Sequence, residues 1–362
     1  MCPVPRTRTT RSPRGSGERG DAALLLRIYR VAVTTRAVDE RLWTLSRQGR
    51  SSFVLTARGH EVVQIASAAA MRRGQDTAWP YYRDMGVGLA LGVTPYELFL
   101  GAMGRADDPH SGGRQLTMHL SSAARGIGSV SSEVASHLPH AVGAAYAAWV
   151  RGEDRVAFCW FGEGAVAEGA AHEAMNLAGV HALPVVFVCE NNELAISVPL
   201  RLQMAAGSVA ERAAGYGMPG VGVDGTDVSA VLDATSEAAR RARAGEGPSL
   251  IEARVPRIVP HSSQDDDHYR SAAEKEAALE ADPLPRLRGE LIGRGLLTED
   301  EDTELGRRIR SLVLADADRA WARSEPEPGR ARCWLFAGDP PHPSPADPEP
   351  VPEFAQGVFD DG

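Results

Sequence analysis

Residues 161–197 read FGEGAVAEGAAHEAMNLAGVHALPVVFVCENNELAIS. Two short apolar runs frame this stretch, Val156–Phe161 (VAFCWF) and Pro184–Cys189 (PVVFVC). Both are too short for a helix and rich in β-formers, so each predicts a buried strand. Between them Ala165–Val180 carries a helical pattern that begins just after Gly164. Strand, helix, strand at this spacing predicts parallel strands with a crossover helix. Val221–Asp224 and Ser249–Val255 (SLIEARV) add two more strands, separated by a helix over Thr226–Ala244. The fold class is therefore α/β: a parallel sheet flanked by helices on both faces. In such sheets ligands bind beyond the carboxyl ends of the strands. Glu163 follows one strand immediately, and Asn191 and Asn192 follow the next.

Further out, helical periodicity covers Ala22–Arg47, Glu61–Arg72, Pro95–Met103 and an Ala-rich Leu138–Val150. Beyond Asp282 the pattern is helical to about Ala322, which predicts an outer layer packed on the sheet. Residues 1–20 hold five arginines and one acid among Pro, Gly, Ser and Thr. They predict a disordered basic tail, or a transit peptide, ahead of a domain over residues 21–325. Residues 326–362 read as a Pro- and acid-rich tail.

Composition excludes several functions. The 362 residues are 43% hydrophobic, with 39 basic and 48 acidic side chains and a formal charge of −9. That is the balance of a globular protein with a real core, without the basic footprint of a nucleic-acid binder. No apolar run reaches the roughly 18 residues of a membrane span. The four cysteines, Cys2, Cys159, Cys189 and Cys333, lie far apart, which argues against zinc or a disulfide framework and for a reducing compartment. The expected location is the cytoplasm in a bacterium, or the mitochondrial matrix in a eukaryote. Lys275 is the only lysine, in an exposed helical segment, so neither a Schiff-base lysine nor a Walker A loop is available.

A carboxylate beside a phosphate repels it unless a cation lies between them. Glu163 and Asn192 both offer hard oxygens, which suit Mg²⁺ completed by phosphate and water. The residues thus point to a metal-bridged diphosphate. Two other readings stay open on spacing alone. Glu163 can be an ordinary acid in a first helical turn, with the Asn pair a turn. Gly162-x-Gly164-x-x-Ala167 also fits a dinucleotide fingerprint, with Glu190 as the ribose-binding acid of a nicotinamide-dependent dehydrogenase.

The whole stretch resembles the thiamine diphosphate motif, Gly-Asp/Glu-Gly followed after a helix and strand by Asn-Asn. More closely, the chain resembles the alpha subunit of the decarboxylating component of 2-oxo acid dehydrogenase complexes. YRVAVTTRAVDERLWTLSRQGR, WPYYRDMGVGLALG, GGRQLTMHL, SVSSEVASHLPHAVGAAYAA and VPHSSQDDDHYR align with that family in order, over about residues 25–325. The resemblance implies a thiamine diphosphate-binding fold, specifically its diphosphate-binding half. It implies Mg²⁺ held by the side chains of Glu163 and Asn192 and by the main-chain carbonyl of Leu194, where the family usually has an aromatic residue. Tyr82, Arg83, Gly162, Gly164, Ala165 and Ala195 would line the diphosphate, with Ser132 and Val134 at the pyrimidine end. His261 would be the catalytic residue, on a loop that orders over the cofactor and guides reductive acylation. His60 and His119 fall in matched blocks without an assigned role. Ser262 lies where some relatives are phosphorylated. Some relatives hold K⁺ near Ser131–His137; Glu133 and His137 replace a frequent proline and glutamine there, which leaves that ion open.

The resemblance also implies partners. The glutamate that activates the aminopyrimidine ring belongs to a beta subunit, so an α₂β₂ assembly is expected, delivering the acyl group to lipoyl on an acyltransferase component. Phe53-Val54-Leu55 shapes the substrate end. Pyruvate-directed relatives commonly carry histidine where Leu55 falls, and branched-chain relatives an apolar residue. The branched-chain type, acting on 3-methyl-2-oxobutanoate, is therefore favoured over pyruvate or acetoin.

Overall fold

The structure, a computed structural model, describes residues 17–333 together with Phe336 and Gly357. Most of both expected tails lies outside the described residues. The first helix, α1 (Gly17–Arg47), begins at Gly17, before the periodicity placed it at Ala22. It is followed by α2 (Glu61–Ala68), β1 (Thr77–Trp79), α3 (Met85–Ala90), α4 (Pro95–Ala102) and α5 (His137–Arg151). Then come β2 (Ala157–Gly162), α6 (Gly169–Val180), β3 (Val185–Asn191) and a small hairpin, β4 (Leu194–Ala195) with β5 (Val198–Pro199). The chain continues through β6 (Gly220–Asp224), α7 (Val228–Arg243), β7 (Ser249–Arg254), α8 (Ala272–Glu280), α9 (Pro283–Gly293) and α10 (Glu299–Trp321).

Five strands form one parallel sheet in the order β1-β2-β3-β7-β6. Side chains alternate across it, as the two-residue period of a strand requires. Phe158, Trp160, Val186, Val188, Ile251 and Ala253 enter the larger core, beneath α2 and α7, with α1 packed on α2 beyond them. Ala157, Cys159, Phe161, Val185, Phe187, Cys189 and Leu250 enter the other, against α5 and α6. Burial on both faces explains why β2 and β3 read as unbroken apolar runs. Trp160 is fully buried, and its indole N–H donates to the Ser67 hydroxyl at 2.7 Å, which avoids an unpaired donor in the core.

Local signals set the helix boundaries. Thr94–Glu97, Ser271–Glu274 and Thr298–Glu301 form capping boxes at α4, α8 and α10, each hydroxyl satisfying an otherwise orphaned N–H. Asp282 caps α9 and also accepts two 2.9 Å bonds from Arg36 of α1, tying that helix to the body. Two corrections concern packing. The principal contacts of α10 are with α1 and α4, so the C-terminal layer lies on helices and not on the sheet. The segment after Gly164 is not yet helix: a tight 3₁₀ turn spans Glu163–Ala167, and α6 starts only at Gly169.

Candidate functional site

The carboxyl ends of β2, β3 and β7 meet in one crevice, with α6 leaving to one face and α7 to the other. Glu163 leaves β2 almost wholly buried, at 1% exposure. One of its oxygens accepts the main-chain N–H of Asn192 at 3.2 Å, which joins the two strand ends into a corner. Burial pushes the Glu163 carboxyl up from its ordinary value, against the pull of Arg83 and Arg257. Gly164 lets this corner close. A Cβ there would stand 2.9 Å from that of Ala195, so only glycine allows the turn to lie on β4.

The Asn pair divides its work. Asn191 is structural: its amide donates to Glu252 at 2.7 Å and its oxygen accepts the N–H of Glu193 at 2.8 Å. Glu193 is thereby held at φ +65°, and the chain turns back so that Leu194 pairs with Pro199. Asn192 is half-buried and points its oxygen at the Leu194 N–H, 3.2 Å away. Glu163, Asn192, Leu194 and Ala195 are therefore brought together, as are Gly162, Gly164 and Ala165 beside them.

Arg83 approaches from the turn before α3 and is 3% exposed. Its guanidinium donates to the Thr56 carbonyl at 2.6 Å and to Nδ1 of His261 at 3.2 Å. The Tyr82 ring lies edge-on to His261, with centroids 6.1 Å apart. The loop carrying His261 is folded by its own bonds. Asp265 accepts the His261 N–H at 2.8 Å and the Tyr269 hydroxyl at 2.6 Å. Val54 and Ser263 exchange main-chain and hydroxyl bonds, so the loop is stitched to the 53–55 segment. Ser132 and Val134 are exposed; the Ser132 hydroxyl is bonded to His119, whose other nitrogen donates to the Thr117 carbonyl at 3.0 Å.

Sequence reasoning missed two participants. Arg257, 2% exposed, donates to the Ile196 carbonyl at 2.7 Å and to the Tyr269 hydroxyl at 2.6 Å, bracing both sides of the crevice. Its only signal was its place four residues before His261. The second is a buried polar knot under Asn192. Oε2 of Glu190 accepts from His60, Gln64 and Tyr81 at 2.6, 3.1 and 3.2 Å. This overturns the dinucleotide reading of Glu190. The carboxylate is fully buried and engaged, so it cannot reach a ribose, and the Gly-x-Gly turn does not open directly into a helix.

Burial first, then the Arg83 and Arg257 charges, lowers His261 to about 3, from an ordinary 6.5. His137 falls to about 4 through burial, and His60 is lowered too. A histidine with a depressed folded pKa takes up its proton more readily when unfolded. Its stabilising contribution is complete above about pH 6.5 and is lost as pH falls toward the folded value. We expect the melting temperature to drop steadily below pH 6.5, and His261→Gln to flatten part of that slope. Parallel slopes for the two proteins would show that His261 does not contribute.

A parallel sheet covered on both faces, with Glu163 bonded to the Asn192 main-chain N–H at adjacent strand ends and arginines nearby, is the architecture of α/β enzymes, which bind ligands at that rim. Comparison with known proteins makes this specific. Residues 29–329 match the family "Dehydrogenase E1 component". The chain is 43% identical over 311 residues to 2-oxoisovalerate dehydrogenase subunit alpha of Bacillus subtilis, covering 86% of this chain and 94% of that protein. It is 40% identical over 294 residues to 3-methyl-2-oxobutanoate dehydrogenase subunit alpha of Mycobacterium tuberculosis, covering 80% and 77%. The human mitochondrial 2-oxoisovalerate dehydrogenase subunit alpha is 38% identical over 307 residues, 84% of this chain and 68% of that protein. The chain belongs to the dehydrogenase E1 component family, whose members depend on thiamine diphosphate. Among the described residues, no helix is long and apolar enough to cross a membrane.

Proposed function

We propose that the chain is the alpha subunit of a branched-chain 2-oxo acid dehydrogenase, acting on 3-methyl-2-oxobutanoate. It would work with a beta subunit in an α₂β₂ assembly and pass the acyl group to lipoyl on an acyltransferase component. The observation that carries this reading is the buried corner of Glu163 and Asn192 on a fold of the E1 family. Support for branched-chain substrates comes from the names of the relatives and from Leu55, an apolar side chain only 6% exposed beside Ser262. An apolar pocket favours such a substrate over pyruvate by about 1–3 kcal/mol.

The donor set fits Mg²⁺ with a diphosphate. A buried carboxylate and an amide oxygen are hard ligands, and Leu194, whose main-chain N–H meets that amide oxygen, would add its carbonyl. The Cβ position above Gly162 has nothing nearer than the Tyr81 ring at 3.9 Å, which leaves room along that strand end. Thiamine diphosphate, when bound, supplies the electron sink for decarboxylation. The chain's part is to hold its charged end. Arg83 and Tyr82 would contact phosphate oxygens, with Gly162, Gly164, Ala165 and Ala195 lining them and Ser132 and Val134 toward the ring. The pyrimidine-activating glutamate would come from the beta subunit. Potassium is left out of the proposal: His137 turns inward to the Trp160 carbonyl at 2.7 Å, and Ser131 and Ser136 bond to each other at 2.9 Å.

The test is co-expression with a beta-type partner, followed by ferricyanide reduction with 3-methyl-2-oxobutanoate, pyruvate and acetoin. Activity is expected only in the two-chain enzyme, and highest with the branched acid. Turnover by this chain alone, or a preference for pyruvate, would refute the corresponding part. In the same enzyme His261→Ala should slow lipoyl acylation more than ferricyanide-linked decarboxylation; equal losses would remove that role.

A further inference from the structure

His60 is fully buried at the start of α2, and its two ring nitrogens face different partners. Nδ1 lies 2.6 Å from Oε2 of Glu190, and Nε2 lies 3.4 Å from the amide nitrogen of Asn192. The Leu194 N–H, 3.2 Å from Oδ1 of Asn192, leaves the Asn192 NH₂ facing Nε2, and an NH₂ group can only donate. Nε2 must therefore offer its lone pair, which puts the ring hydrogen on Nδ1, toward Oε2 of Glu190. Nε2 is then the acceptor, and it takes the Asn192 N–H.

From the opposite side the Leu194 N–H reaches Oδ1 of Asn192 at 3.2 Å. An inverted amide would set its oxygen against the Nε2 lone pair and its NH₂ against the Leu194 N–H. Both contacts are repulsive, so the amide has one acceptable orientation. The knot beneath is itself braced. Gln64 donates to Glu190 at 3.1 Å, to Asp84 at 3.2 Å and to the Arg83 carbonyl at 3.1 Å, so the Glu190 carboxylate cannot swing away.

We propose that His60 is a positioning residue for the cofactor's metal: Glu190 sets its tautomer, and His60 in turn locks the Asn192 amide with its oxygen turned away from the imidazole, on the side of the Leu194 N–H. The inference rests on the thiamine diphosphate reading above and adds to it a supporting relay from Glu190 through His60 to Asn192. Partners that orient a metal ligand in this way are commonly worth about ten- to a hundred-fold in metal affinity.

The experiment uses the full chain co-expressed with its beta partner, stripped of cofactor. Mg²⁺ is titrated at saturating thiamine diphosphate, and cofactor retention is read by fluorescence quenching and by the rise in melting temperature. His60→Leu removes the acceptor while filling the space. It should raise the Mg²⁺ concentration for half-saturation about ten- to a hundred-fold. His60→Gln keeps a side-chain oxygen able to accept the Asn192 N–H, and should recover most of the loss. Unchanged Mg²⁺ dependence in His60→Leu overturns the proposal, as does His60→Gln behaving like His60→Leu. Should His60→Leu fail to fold, His60→Gln decides alone: wild-type-like half-saturation is expected, and a ten-fold rise refutes the acceptor role. If the wild-type enzyme shows no Mg²⁺-dependent retention, it is the cofactor reading that fails, which separates the two results.

Discussion

Glu163→Gln is expected to reverse the usual relation between stability and function. With Mg²⁺ and thiamine diphosphate at about a hundred times their dissociation constant, wild type should gain about 2.7 kcal/mol from binding, and the variant should lose that gain. Without cofactor the sign changes. Burial raises the Glu163 carboxyl above its ordinary value, so the folded chain holds that proton more tightly than the unfolded one. The ionised carboxylate therefore destabilises the unloaded protein as pH rises through the ordinary carboxylate range. Replacing it by an amide removes that charge from the interior. The unloaded variant should melt at or above the wild-type temperature at pH 7. Calorimetry with and without ligands checks both halves, and a variant that still responds fully to Mg²⁺ would take Glu163 out of the site.

Gly59→Ala should be among the most damaging single substitutions in the chain. Gly59 has φ +93°, and a Cβ there would stand 2.0 Å from the Pro256 carbonyl oxygen. The Cβ position is fixed by the backbone and the atom it meets is main chain, so neither a rotamer change nor a side-chain shift relieves the clash. The affected contact joins the turn before His60 to the end of β7. Backbone strain and displacement together should cost about 3–5 kcal/mol, read as a shift in urea midpoint. Gly289→Ala in α9, where nothing lies within 4 Å of the new Cβ, is the matched control. It should stabilise by about 0.5–1 kcal/mol. Similar midpoints for Gly59→Ala and wild type would discard the close-approach argument.

Much of this molecule is written locally. The runs around Phe158, Val186 and Leu250 are buried on both faces, so their hydrophobicity alone marks them as strands. Glu163 and Asn192 stood out because polar residues immediately follow such runs. What could not be read has physical causes. Strand β1 is three residues, TAW, too short for any period, and its edge is covered instead by Gly126 and Gly128 bonding to Ala78 at 2.8 Å. Helix α3, MGVGLA, hides behind two glycines; a Cβ at Gly86 would meet the Gln64 side chain at 2.6 Å, so small size there serves packing and not flexibility. The 3₁₀ turn at Glu163–Ala167 shares its residue types with a helix start, and only backbone geometry distinguishes them. The Glu190–His60 pair spans 130 residues, and nothing local at either position announces the other.

The stitching of Ser263 to Val54 has a consequence for adaptation of the enzyme. The residues that would gauge the size of the incoming acid and the histidine that would serve the outgoing acyl group hang from the same two-ply ribbon. A change at Leu55 that retunes which acid enters will tug on His261 as well. Selecting a new substrate by altering the entry alone should therefore tend to slow the exit, unless a second change on the opposite ply, between Ser262 and Gln264, restores the fit.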